Sequence, residues 1–358
     1  MKQLSIVLLA TLSLSAFHRE ALGQILPENT LHLTARDTLA PPNIDLRTFN
    51  EILDRIDAVY RPLAATFRAR FEIERAWEES TVNAYAAKKR SRWVIHMMGG
   101  LARRPEITPD GFMLVACHEV GHLFGGYVFA HGSFAYVSNE GQSDYYAAQV
   151  CTRLMWADDV RLNAEAAWSV APAAKNKCDT TWGSEADRNL CYRTANAGLS
   201  LTNLFYASAY AAVMEYNNRL SQNPSSRSRP LPLPVRASHA TRDPRQVTKT
   251  DDSHPALQCR LDTYLAGALC TDRFDMTDIP GRYHFIRGRH SAVAERDAAP
   301  SSCFSWESSS SPESVRPTCW FKSRVTSAQR FDEAEEDEAP ESTEPGDGTE
   351  LPLALDPK

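Results

Sequence analysis

Residues 108–126 read Thr-Pro-Asp-Gly-Phe-Met-Leu-Val-Ala-Cys-His-Glu-Val-Gly-His-Leu-Phe-Gly-Gly, and the reading of this stretch decides the fold. Thr108 offers a side-chain acceptor to the free amides of a helix start. Pro109 lacks an N–H that would go unpaired at the first helical position, and Asp110 suits the positive end of the helix dipole. The residues that follow are apolar nearly all round as far as Phe124, and Gly125-Gly126 ends the run, so the pattern predicts a buried helix over 109–124. Inside it lies Cys117-His118-Glu119-Val120-Gly121-His122, an H-E-x-x-H match. Residues four apart share a helix face, so both imidazoles can reach one ion while Glu119 beside them handles a proton. Zinc suits this donor set, with an open position left for water.

A zinc site needs a third protein ligand. A Gly three and a His six residues after His122 would supply one solution; Gly125 fits, but the sixth residue is Val128. His131 is out of phase and reads as a loop residue. The other solution is a carboxylate on a following helix. Asn139-Glu140-Gly141-Gln142-Ser143-Asp144 begins such a helix, expected from Ser138 to about Trp156. Glu140 and Asp144 share a face, so one can ligate zinc while the other accepts the ring N–H of a ligating His. The apolar sequel Tyr145, Tyr146, Ala147, Ala148 and Val150 buries this helix, and buried carboxylates need a partner. Cys117 lies about 100° around the helix from His118 and reads as a disulfide or buried thiol instead of a ligand.

Upstream, Leu46, Phe49, Ile52, Leu53, Ile56, Val59, Tyr60 and Leu63 recur at helical spacing from Asp45, with an end expected near Arg61-Pro62. Phe71, Ile73 and Trp77, then Trp93, Ile95 and Met97, alternate with polar neighbours and predict two strands around the basic turn Lys88-Lys89-Arg90. His96 reads as structural. Alternation alone leaves two readings of strand 92–98: an edge that would hold an extended peptide by β-pairing, or an internal strand of the sheet. Downstream, helices are expected over roughly 189–219 and 254–270. Residues 221–252 read as an exposed loop, and the Ser/Pro-rich stretch 292–318 as irregular chain pinned by cysteines.

The chain opens with Lys2, an apolar run from Leu4 to Phe17 and small residues at Ala21 and Gly23, the pattern of a secretory signal peptide over 1–23 with Gln24 as the mature start. A single domain over 24–330, with its core at about 45–290, would follow. The net charge of −6 misleads, because residues 331–358 hold eleven acids against one Lys and the rest sums to about +4. That tail is expected to be disordered, and the remainder is too mildly charged for a nucleic-acid partner. The sequence predicts no integral membrane segment in the mature chain. Export makes the eight Cys candidates for disulfides. Cys178–Cys191 and Cys303–Cys319 are expected as local pairs, with Cys117, Cys151, Cys259 and Cys270 pairing among the helices. Cys259 and Cys270, on one helix and about 16 Å apart, cannot bridge each other.

H-E-x-x-H followed by E-x-x-x-D resembles the gluzincin arrangement, and the ordered set is similar to the CAAX-prenyl-protease/HtpX-like peptidase family in its small soluble exported form. Asn83-Ala84-Tyr85-Ala86, Gly99-Gly100-Leu101 and His254-Pro255 with Arg260 six residues on carry the rest of the likeness, over about residues 71–270. The resemblance implies an α+β, zincin-like fold, mainly helical, with a small antiparallel sheet beside the active-site helix. It implies zinc ligands His118, His122 and Glu140, Glu119 as catalytic base, Asp144 supporting a ligand and His254 donating to the oxyanion. Arg260 is expected in a structural ion pair. The long gap from Asp144 to His254 and the absence of membrane-spanning helices depart from the family pattern, so prenylated substrates are not implied. The expected activity is an exported zinc endopeptidase acting on protein or peptide; a catalytically silent zinc-bearing scaffold and a zinc amidase of cell-wall peptide are the alternatives.

Overall fold

The computed structural model describes residues 23–27, 29, 31–37, 43–131, 137–222, 228–284, 292–304 and 312–325. Of the expected leader only Gly23 lies within this range, and the acidic tail 331–358 lies outside it. The architecture is mixed α+β, with helices around one small sheet. Strand β1 (Gly23–Gln24) is followed by α1 (Leu46–Thr66), β2 (Arg70–Ala76), β3 (Ala84–Lys89), β4 (Arg92–Met98), a short turn of helix α2 (Gly99–Ala102) and α3 (Pro109–Phe124). Then come α4 (Glu140–Tyr146), a π-helical segment (Ala147–Cys151), α5 (Thr152–Trp156), α6 (Val160–Glu165), α7 (Pro172–Thr181), the long α8 (Glu185–Ser221), α9 (Leu257–Leu269) and α10 (Ala292–Ala298). Among the described residues no helix is long and apolar enough to cross a membrane.

The sheet corrects the expectation of an antiparallel one. Its order is β1-β3-β4-β2; β3 runs antiparallel to both β4 and β1, but β2 pairs with β4 in parallel, Phe71 opposite Trp93 and Ile73 opposite Ile95. Strand β4 is therefore internal, with both edges paired, and cannot take an added peptide strand. The edge toward α3 belongs to β3, and β1 lies on it. His96 is structural, as its sequence position suggests: it sits between Glu74 and Glu79 at 2.8 and 2.9 Å and stacks on Tyr85.

Helix α1 runs on to Thr66 through Pro62 instead of ending there. Pro62 is exposed, and Tyr60 before it and Ala64 after it are both buried, so packing on either side outweighs the one backbone hydrogen bond that proline removes. The core reaches beyond 45–290. Ile25 and Leu26 at one end and Phe304, Trp320 and Phe321 at the other join Phe49, Phe71, Phe112 and Phe124 in a single apolar cluster. The stretch 292–318 holds helix α10, contrary to the irregular chain expected. Cys178–Cys191 forms as expected, whereas Cys303–Cys319 does not; the remaining pairs are Cys117–Cys151, Cys259–Cys319 and Cys270–Cys303. Both C-terminal cysteines thus reach back to opposite ends of α9.

Candidate metal centre

Helix α3 starts as its sequence dictates, with the Thr108 hydroxyl accepting from the Gly111 amide at 3.0 Å. Every residue from Gly111 to Phe124 is buried. Asn139 caps α4 through the Gln142 amide, at 2.9 Å, which places Glu140 in the first turn. The two helices approach closely at Gly121, where a Cβ would come within 2.8 Å of the Ser143 carbonyl oxygen. That approach sets Glu140 over the paired imidazoles.

His118 Nε2 and His122 Nε2 lie 3.1 Å apart. Glu140 places Oε2 3.3 Å from the first and Oε1 3.6 Å from the second. Donors around a tetrahedral zinc at about 2.0–2.1 Å stand about 3.3 Å from one another, so the three side chains are spaced as the corners of one coordination shell. All three are buried, and together they could hold a metal ion.

The far nitrogens are also held. His118 Nδ1 lies 2.7 Å from Asp144 Oδ1, and His122 Nδ1–H donates to the Ser138 carbonyl at 2.8 Å with Ser143 Oγ 3.0 Å away. These partners orient both rings so that each Nε2 faces Glu140. Asp144 is in turn gripped by Arg260, whose Nε and Nη2 donate at 2.8 and 2.7 Å, and by the Tyr264 hydroxyl at 2.6 Å. The ion pair expected of Arg260 is thus present, and it braces the residue that orients His118.

Two imidazoles 3.1 Å apart do not both carry a second proton. Burial disfavours the charge on each. At His118 the carboxylates of Asp144 and Glu140 overcome burial and raise the pKa to about 9, whereas at His122 burial prevails and lowers it to about 4. Burial also works against the Glu140 carboxylate, but His122, His118 and His254 together hold it down at about 2. Asp144 lies well below the usual carboxylate range: Arg260 and His118 outweigh its burial.

Glu119 contrasts with Asp144. It is fully buried, and neither carboxylate oxygen has a hydrogen-bond partner among the described residues. Burial pushes its pKa up to about 8, against the pull of His118. A buried carboxyl left without partners is costly to keep, and the cost is understood if the group must remain free to move a proton.

His254 stands just before α9, Nε2 3.4 Å from Glu140 Oε2 and within hydrogen-bonding reach of the Gln24 carbonyl oxygen. The structure thus brings His118, Glu119, His122, Glu140, Asp144 and His254 to one place despite the long segment before His254. His131, read as a loop residue, pairs with Asp252 and is not one of the clustered donors. What the sequence reading missed is the N-terminal segment. Gly23 lies against His122, where a Cβ would meet Nε2 at 2.3 Å, and Asn83 binds both Gln24 and Leu26. A two-residue strand of Gly and Gln carries no periodicity that could have announced it; Ile25-Leu26 is its only apolar signal.

No family model, curated protein or solved structure matches the chain.

Proposed function

We propose that the protein is an exported zinc endopeptidase of zincin-like fold, with His118, His122 and Glu140 as metal ligands and Glu119 as general base. The single observation that carries this reading is the spacing of the three buried donors beside a buried carboxyl that has no partner. A zinc-bearing scaffold or binding protein would have no use for Glu119, and the four disulfides accord with an oxidising, exported setting.

A zinc ion in this donor set supplies Lewis acidity and lowers the pKa of water toward about 7. Glu119 takes the proton of the water that attacks the amide carbon and returns it to the departing nitrogen. His254 donates to the carbonyl oxygen as it gains negative charge. Asp144 and the Ser138 carbonyl keep the two imidazoles in place throughout.

The test is metal content and casein cleavage by the purified chain, with and without chelator. Wild type should carry about one zinc and lose activity when it is removed. Glu119→Gln should keep the metal and lose turnover, whereas Glu140→Ala should lose the metal. Wild-type turnover by a folded Glu119→Gln protein would overturn the assignment of the base, and full metal occupancy in Glu140→Ala would overturn the third ligand.

A further inference from the structure

The groove beside the metal centre is filled by the protein's own chain. Gly23 and Gln24 pair antiparallel with β3, opposite Ala86 and Tyr85, and the pairing continues as the Ile25 amide donates to the Ala84 carbonyl at 3.1 Å. The backbone beyond is held at each polar group a bound peptide would present. Arg260 Nη1 donates to the Ile25 carbonyl at 3.0 Å. Asn83 accepts from the Leu26 amide at 3.2 Å and donates to the Leu26 carbonyl at 3.1 Å. The Gln24 carbonyl oxygen is the one that His254 contacts. Thus the residue placed to stabilise a developing oxyanion already holds an amide carbonyl, and the peptide bond that follows is Gln24–Ile25.

Side chains fit the same reading. Gly23 passes the His122 ring where any Cβ would collide with it. Ile25 and Leu26 are buried, at 0% and 2% exposure, and they line an apolar cavity of about 600 Å³ with Phe205, Ala209, His254 and Leu257. The groove therefore accepts an extended segment with a residue lacking a side chain against His122 and aliphatic residues after the reacting carbonyl.

We propose that Gly23–Leu26 is bound as an internal substrate while Gly23 is still joined to Gln24, and that the chain then hydrolyses its own Gln24–Ile25 bond, which makes Ile25 the mature start in place of the expected Gln24; the inference rests on the peptidase reading above. Water adds its oxygen to the Gln24 carbonyl carbon and the bond to the Ile25 nitrogen breaks. Gln24 leaves as a carboxylate, and Glu119 carries the water's proton to the nitrogen, which becomes the α-amino group of Ile25. The strand pairing explains why this bond is chosen: β-augmentation fixes register, and only Gln24 presents its carbonyl to His254.

The experiment compares wild type and Glu119→Gln, both purified as full chains from an exporting host, by N-terminal sequencing and intact mass. Wild type should begin at Ile25 and Glu119→Gln should retain Gln24 together with Gly23; a Glu119→Gln protein beginning at Gln24 would show that the leader is cut before Gln24 and would overturn the seating of Gly23. Hydrogen exchange on the metal-loaded Glu119→Gln protein should show the Ile25 amide protected by its bond to Ala84. Wild type that cleaves casein yet retains Gln24 would overturn self-processing alone. Failure to cleave either would overturn the peptidase reading and the inference with it. Both proteins beginning at Ile25 would assign the cut to another protease, and fast exchange at Ile25 would show that the segment is not seated.

Discussion

On the proposed peptidase reading His254 and Glu119 have opposite tasks at the reacting position, and their substitutions should separate kinetically. An oxyanion donor acts chiefly in the transition state, so His254→Ala should lower kcat by on the order of 10²–10³ with little change in KM or metal content. Wild-type kcat in the folded variant would leave His254 as only a contact to Gln24 and Glu140. A second consequence follows from the charges of the metal-free site. His118 has its pKa raised to about 9, whereas His122 and Glu140 lose their protons near 4 and 2. Between pH 6 and 8 a metal must therefore displace one proton, from His118 Nε2, while its Nδ1–H stays on Asp144. Because the metal-free form holds that proton below its pKa, affinity should rise with pH, by at least about tenfold per unit. Calorimetric titration in buffers of different ionisation heat should count at least one proton released per ion, that of His118, with Glu119, held up at about 8 by burial, adding to the count where the ion draws its proton off. Affinity that is flat across this range would show that His118 is already neutral.

Helix α3 was the most legible element, and the reason is chemical: its cap, its proline, its buried face and its glycine stop all lie within residues 108–126. The candidate ligand set was nearly as legible, because a fixed helical spacing joins His118 to His122 and Glu140 to Asp144. What pairs with what across the fold was not. Alternation gives Phe71 and Ile73 a face but no partner strand, so the parallel β2–β4 pairing could not be read. Cysteine spacing favours local bridges, yet Cys319 lies 60 residues from its partner Cys259. The same limits hid β1. One feature of the helix pair does turn on a single residue. Ala is intrinsically better than Gly in a helix by about 1 kcal/mol, but at Gly121 a Cβ would stand 2.8 Å from the Ser143 carbonyl oxygen and 2.9 Å from its Cα. Overpacking of this kind costs about 1–3 kcal/mol and pushes α4, with Glu140, off the imidazoles. Gly121→Ala should therefore weaken metal binding by on the order of 10–100-fold, read by competition with a chromophoric chelator. A rise in thermal midpoint with unchanged affinity would mean that helix propensity wins and that the helices tolerate separation.

At the scale of the molecule, the candidate metal centre is supported by both the first and the last of the described segments. Residues 312–325 carry no ligand, yet Arg316 is buried between the Phe304 and Tyr145 rings, at 3.5 and 4.2 Å. Its Nε donates to Gln142 Oε1 at 2.8 Å, one turn beyond the Asn139 cap. Trp320 donates to Thr263 at 3.0 Å and leaves no room for a Cβ at Gly141, next to Glu140. Cys259–Cys319 and Cys270–Cys303 tie this segment to α9, closing separations of 60 and 33 residues. Loops of that size are worth about 4 kcal/mol each in the chain-entropy account, against a total stability of about 5–15 kcal/mol for a domain. A chain ending at Ser301 loses both bridges, Arg316 and Trp320 while keeping all three ligands; a chain ending at Arg324 keeps every one of these groups. The first should lose its cooperative near-ultraviolet melt and bind substoichiometric metal even where the ligands are intact, and the second should match the parent in both. If the chain ending at Ser301 melted within a few degrees of the parent with full metal, the C-terminal segment would be a covering over a centre that α3, α4 and α9 hold unaided.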